Sequence, residues 1–166
     1  MLDKLFLNTI IVCTNTFLKG DFFIMTSKAK KIWEVWGKSG SLYTLWANNN
    51  KINSYQLFVF YAIDGYSSIT QKLIVEYTGL SKQTVNSVIR TLKKDGYIEL
   101  DRDPNNLREK LVKLTDKGKE YSSKLLRPLH EIENKVIKLI GSNRIDEMLD
   151  TIELFTTMFE KEVKNG

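Results

Sequence analysis

Residues 67–118 carry the pattern that most restricts the fold of this chain. In SSITQKLIVEY (67–77), Thr70 can cap a helix whose expected buried positions are Leu73, Ile74 and Tyr77. TGLS then makes a short turn. Ser81 can cap the next helix, SKQTVNSVIRTLKKDG, in which Val85, Val88, Ile89 and Leu92 form one apolar stripe and Gly96 supplies the stop. Helix, tight turn with glycine, helix is the helix-turn-helix pattern. YIEL then reads as a strand. Asp103, Pro104, Asn105 and Asn106 form a dense set of turn formers, and KLVKL reads as the return strand, its Leu111 and Leu114 alternating imperfectly around Val112 and Lys113. A strand pair directly after the second helix makes a β-hairpin wing. The expected fold is mainly α with a small β-wing.

Helices are expected on both sides of this unit. Ala29, Ile32, Trp33 and Trp36 fall at helical spacing, and Leu42, Tyr43 and Trp46 resume the stripe. Gly37 and Gly40 are placed to bend this helix, and 48–50 ends it. Asn53 or Ser54 can cap the next one, with Leu57, Phe58, Tyr61 and Ala62 on its apolar face and Gly65 at its end. After the wing, Thr115 can cap a long helix with Tyr121, Leu125, Leu129, Ile132, Val136 and Leu139 in its stripe. Pro128 is expected to kink that helix or break it in two. A last helix starts near Ser142 or Asn143, with Ile145, Met148, Leu149, Ile152, Phe155, Met158 and Phe159 on its apolar side. Two long helices with wide apolar faces must bury them, and a second copy of the chain is the expected cover. The domain reading is a leader (1–24), an N-terminal dimerisation helix (25–52), a winged helix-turn-helix (53–117) and C-terminal dimerisation helices (118–166).

Composition narrows the function class. The 166 residues are 42% hydrophobic and 27% charged, a globular balance, with a net charge of +5 that suits a polyanionic partner. The single cysteine, Cys13, excludes an intrachain disulfide and suits a reducing cytoplasm. The single histidine, His130, sits among acidic neighbours on a helix, so neither a metal site nor a cofactor is expected and a satisfied histidine is. There is no phosphate-cradling glycine loop, no paired carboxylates on a strong scaffold and no nucleophile with a base, so no enzyme is expected. The apolar opening 1–24 lacks a signal-peptide layout and the run of about 20 apolar residues that a membrane span needs. Two readings of it stay open: an extra element packed on the domain, or a natural start at Met25.

The order of elements, with GLSKQTVNSVIRTLKKDGYI and LREKLVKLTDKG, resembles the MarR family of bacterial transcription regulators from about Met25 to the end. The family's wing motif runs Asp-x-Arg, alternating apolar residues, then Leu-Thr-x-x-Gly. Arg108, Leu111 or Val112, Leu114, Thr115 and Gly118 match it, and Asn106 departs from it where the family has Asp. The resemblance implies a cytoplasmic homodimer that binds double-stranded DNA at a pseudo-palindromic operator, as a repressor.

On that reading the amino-terminal end of the Ser81 helix enters the major groove. Gln83 and Asn86 have amides suited to adenine, and Arg90 suits guanine or a phosphate. Ser81, Thr84 and Ser87 are short phosphate donors, and Lys82 lies beside them. Arg108 suits a narrow minor groove, while Arg102, Lys110 and Lys113 suit phosphates, with Lys93, Lys94 and Lys117 as further cations. The polar face alone would fit any solvated helix; the wing behind it selects DNA. The competing reading is a winged helix used as a protein–protein interaction module.

The resemblance also implies a switch by an oxidant, a metal or a small ligand. Cys13 lies upstream of the helix where oxidant sensors of the family carry theirs, and histidines for a metal are lacking. A small aromatic ligand is left, and Trp33, Trp36, Tyr43, Trp46, Phe58 and Tyr61 are the candidate pocket residues, which would equally suit a core or a dimer seam.

Overall fold

The computed structural model describes residues 27–102 and 109–166. The expectations for the leader, Cys13, Met25, the 103–106 turn and Arg108 lie outside these residues. The chain divides into two units, Met1–Leu42 and Tyr43–Gly166. Helix α1 (Ser27–Asn49) begins in the first, and Gly37 and Gly40 do not interrupt it. In that unit Trp33, Val35, Trp36 and Leu42 are exposed.

The second unit carries the core. Asn53 caps α2 (Ser54–Ile63) by accepting the Tyr55 N–H at 2.9 Å. Leu57, Val59, Phe60, Ala62 and Ile63 of α2 are buried. The single apolar face expected for α2 is therefore too narrow: this helix is the centre of the unit and is packed on several sides. Strand β1 (Ile69–Thr70) follows, then α3 (Gln71–Thr78) and α4 (Lys82–Lys94). Thr70 caps α3 through the Leu73 N–H at 3.1 Å, and Ser81 caps α4 through the Thr84 N–H at 3.1 Å. Each such cap stabilises by about 1 kcal/mol because it satisfies a donor that the helix leaves orphaned. Gly79, at φ +66, makes the turn between them. All four expected stripe residues of α4 are buried.

Of the three positions expected to be buried in α3, only Ile74 is. Leu73 and Tyr77 are exposed, since in so short a helix they share a ridge turned away from the face that carries Ile74 and Val75.

Strands β2 (Ile98–Arg102) and β3 (Lys110–Leu114) form the wing, paired antiparallel from Ile98↔Leu114 to Arg102↔Lys110. Val112 is the fully buried residue of β3, with Leu111 and Leu114 only half-buried beside it. β1 adds to the other edge of β3, giving the sheet order β1-β3-β2. That third strand was not foreseen, because two residues carry no period.

Helix α5 (Asp116–Ile140) is continuous through Pro128, so of the expected kink or break the break does not occur. Pro128 is exposed, so water can solvate the carbonyl its missing N–H leaves free, while Leu125, Leu126 and Leu129 hold the same turns in the core. Gly141, at φ +97, separates α5 from α6 (Ser142–Asn165). No residue of α6 is buried; Met148, Leu149, Ile152, Phe155, Met158 and Phe159 are all exposed. Among the described residues no helix is long and apolar enough to cross a membrane.

Candidate nucleic-acid interface

Burial of Val85, Val88, Ile89 and Leu92 fixes which side of α4 faces outward. At 100° per residue, the direction opposite that stripe is occupied by Gln83, Ser87, Arg90 and Lys94. All four are exposed. Lys82, Asn86 and Lys93 lie on one flank of this ridge, Thr84 and Thr91 on the other.

Each flank borders a groove. The wing-side groove, about 730 Å³, is lined by residues that include Lys72, Lys82, Asn86, Arg90, Lys93 and Lys110. Lys72 pairs with Glu76 at 3.6 Å. Lys82, Arg90, Lys93 and Lys110 carry no ion pair among the described residues, so their charge is available to an anion. The opposite groove, about 430 Å³, brings Asn53, Tyr55 and Gln56 of the α2 start beside Gln83, Thr84, Ser87 and Thr91. Sequence reading had not included this second bank. Thr91 was legible in principle as the i+4 neighbour of Ser87, whereas the approach of Gln56 is tertiary.

Several of the expected contact residues have other partners. The Ser81 and Thr84 hydroxyls lie 2.8 Å apart and share the cap. Lys113 pairs with Asp101 across the hairpin, and this hydrogen bond raises its pKa. Lys117 donates to the Asp95 carbonyl at 2.7 Å and lies 4.6 Å from the Tyr97 ring centre, where it closes the end of α4. Arg102 and Lys110 face each other at the tip of the described hairpin, and Arg108 lies outside the described residues.

The base of the wing accounts for the Leu-Thr-x-x-Gly spacing. The Thr115 hydroxyl accepts the Gly118 N–H at 3.0 Å. At Gly118 a Cβ would lie 1.8 Å from the Tyr97 carbonyl oxygen, so only glycine lets α5 sit this close to the start of β2.

Of the candidate ligand residues, Tyr43, Phe58 and Tyr61 come together with Tyr77 and Thr78 around a recess of about 220 Å³. Trp46 packs against the core, and Trp33 and Trp36 lie exposed in the other unit. Beside the recess stands a polar network. Glu133 accepts from Tyr43 Oη at 2.8 Å and from Tyr61 Oη at 3.0 and 3.1 Å. His130 bridges Glu133 at 2.8 Å and Asp64 at 2.9 Å. Burial, then the Glu133 hydrogen bond and charge, pushes Tyr43 up to about 12; burial and the charge of Glu133 raise Tyr61 as well.

A helix-turn-helix with a hairpin wing behind its second helix, an outward polar ridge and a basic flank defines a winged helix-turn-helix protein. Its residues 52–109 match the model of the MarR family. The uncharacterized HTH-type transcriptional regulator YdcH of Bacillus subtilis is 33% identical over 73 residues, 44% of this chain and 50% of that protein. The match thus spans half of that relative's length. The structure of NMB1585, a MarR family regulator from Neisseria meningitidis, superposes with a TM-score of 0.76 at 26% identity, over 84% of this chain and 99% of that one. NadR, solved in complex with 4-hydroxyphenylacetate, shares the fold with a TM-score of 0.68 at 12% identity, over 82% and 97% of the two chains.

Proposed function

We propose that this chain is a sequence-specific DNA-binding transcription regulator, a cytoplasmic homodimer without enzymatic activity. The observation that carries the reading is the outward ridge of α4, where Gln83, Ser87 and Arg90 stand exposed beside the cations Lys82, Lys93 and Lys110, which have no ion pair among the described residues. A ridge of this kind fits a major groove, with amide and guanidinium groups toward base edges and the lysines toward phosphates. Arg102 extends the cationic run along the wing, and Arg108 is proposed for the adjacent minor groove. Asn86 is the flanking base or phosphate contact. Ser81 and Thr84, whose hydroxyls share the cap, contribute the helix amino terminus.

The dimer reading rests on the exposed apolar residues of the α5 end and α6, which include Val136, Ile140, Leu149, Phe155 and Phe159. A contiguous apolar face of this kind is rarely left to water, and a second copy covers it with like surface. The operator is then pseudo-palindromic, with half-sites roughly one helical turn apart. Repression relieved by a small aromatic ligand is the form of regulation we propose, as NadR holds 4-hydroxyphenylacetate on the same fold.

The test is selection of duplexes from a random pool, followed by affinity measurements across a salt series. Enrichment of a two-fold site, with affinity falling steeply as salt rises, supports the reading, because neutralised phosphates release counterions. Absence of any salt-dependent duplex binding would leave the winged helix as a protein-interaction module.

A further inference from the structure

The recess bounded by Tyr43, Phe58, Tyr61, Tyr77 and Thr78 is aromatic on every side but one. The Tyr43 and Tyr61 rings meet edge to face, with centres 6.2 Å apart. Both phenols donate to Glu133, so the carboxylate stands directly behind the aromatic wall. Among the described residues, no lysine or arginine lines the recess. Lys119 and Arg127 border a second groove, which Asp64 and His130 also line, together with Glu131 and the Gly65 turn.

Within the hydrogen-bonded network itself the charge balance is one-sided. Glu133 and Asp64 are two carboxylates, and His130 between them supplies one positive charge at most. The cluster is therefore negative whichever state His130 adopts. A phenol that donates to a carboxylate also becomes more electron-rich, and the negative face of its ring deepens. An anion entering the recess meets unfavourable fields from both sources. A cation is attracted by both, through the ring quadrupoles and the carboxylate behind them. The volume, about 220 Å³, lies below the usual range for drug-sized ligands and suits one ring or a compact ammonium head.

We propose that this recess binds a small organic cation, an aryl- or alkylammonium, in preference to an aromatic carboxylate. The proposal rests on the ligand-switched reading above and gives its ligand a charge opposite to that of the 4-hydroxyphenylacetate held by NadR.

The test is calorimetric titration of the full chain with three probes of one shape: benzyltrimethylammonium, benzyl alcohol and phenylacetate. The cation is expected to bind at least about tenfold more tightly than the acid, a difference of about 1.4 kcal/mol. Glu133→Gln, which keeps an acceptor for both phenols, is expected to remove most of that preference. Tyr77→Ala, at an exposed position outside the polar network, is expected to weaken the cation while the melting temperature holds. Phenylacetate binding as tightly as the cation would overturn the charge assignment and leave the ligand site standing. Failure of all three probes to bind would overturn the ligand site and the proposal with it.

Discussion

The hydroxyl of Thr115 donates to the carbonyl of Gly96 at 2.7 Å and so ties the first residue before α5 to the end of α4. The same oxygen accepts the Gly118 N–H. One side chain thereby sets the position of the wing relative to α4. Thr115→Val keeps the shape and removes both bonds, and is expected to cost about 1–2 kcal/mol in denaturant unfolding. An unchanged midpoint would show that the bonds are replaced by water without loss.

Gly118→Ala is a harsher change at the same joint. The added methyl would meet the Tyr97 carbonyl oxygen at 1.8 Å, and that oxygen, being backbone, cannot swing aside. α5 must move away from β2, at a cost of about 3 kcal/mol. Thermal melting measures it. Duplex affinity should also fall, since β2 and β3 hang from this contact.

Stability should depend on pH through His130. Its hydrogen bond to Glu133 raises its pKa, burial opposes this, and the bond to Asp64 adds to the rise. A raised folded-state pKa means that the stabilisation is complete below the ordinary value of 6.5 and is lost as pH climbs through the raised one. The melting temperature should therefore decline as pH rises from 6.5 through the raised value, and His130→Gln should flatten the decline. An identical slope in the variant would assign the effect to other groups.

Ser122 is 2% exposed, and its hydroxyl has no hydrogen-bond partner among the described residues. A buried donor without a partner costs about 1–3 kcal/mol, so Ser122→Ala should stabilise the protein by about 1 kcal/mol. A loss of stability would reveal a bridging water.

On the DNA reading, Gln83→Ala and Arg90→Ala should each cost about 1–3 kcal/mol at particular base pairs. Lys93→Ala and Lys110→Ala should weaken all duplexes alike and reduce the salt slope by about one unit each. A panel of site variants measured at two salt concentrations separates the two patterns.

Four of the helices were legible in the sequence because they combine an apolar period with a capping residue, whereas α6 follows Gly141 with no side-chain cap and was legible from its period alone. Asn53, Thr70, Ser81 and Thr115 all cap as their positions suggest. Local pattern failed where a partner decided the outcome. Pro128 is tolerated because the leucines on either side are anchored in the core, and β1 exists because β3 offers it an edge. The candidate site was half legible. The outward ridge of α4 follows from its stripe, but Lys113 and Lys117 are each drawn to a partner far along the chain, which no spacing rule reveals. The network around Glu133 joins three helices and left no trace in the sequence beyond a histidine among acids.

Arg102 and Lys110 stand opposite each other where the described hairpin ends, and like charges in register repel. The hairpin thus stores a small electrostatic load that a polyanion would relieve. By linkage, whatever neutralises the pair must also tighten the strands that bear it. Wing rigidity and occupancy then become a single thermodynamic quantity, readable as amide-exchange protection in β2 and β3 that rises with bound polyanion and, more weakly, with salt.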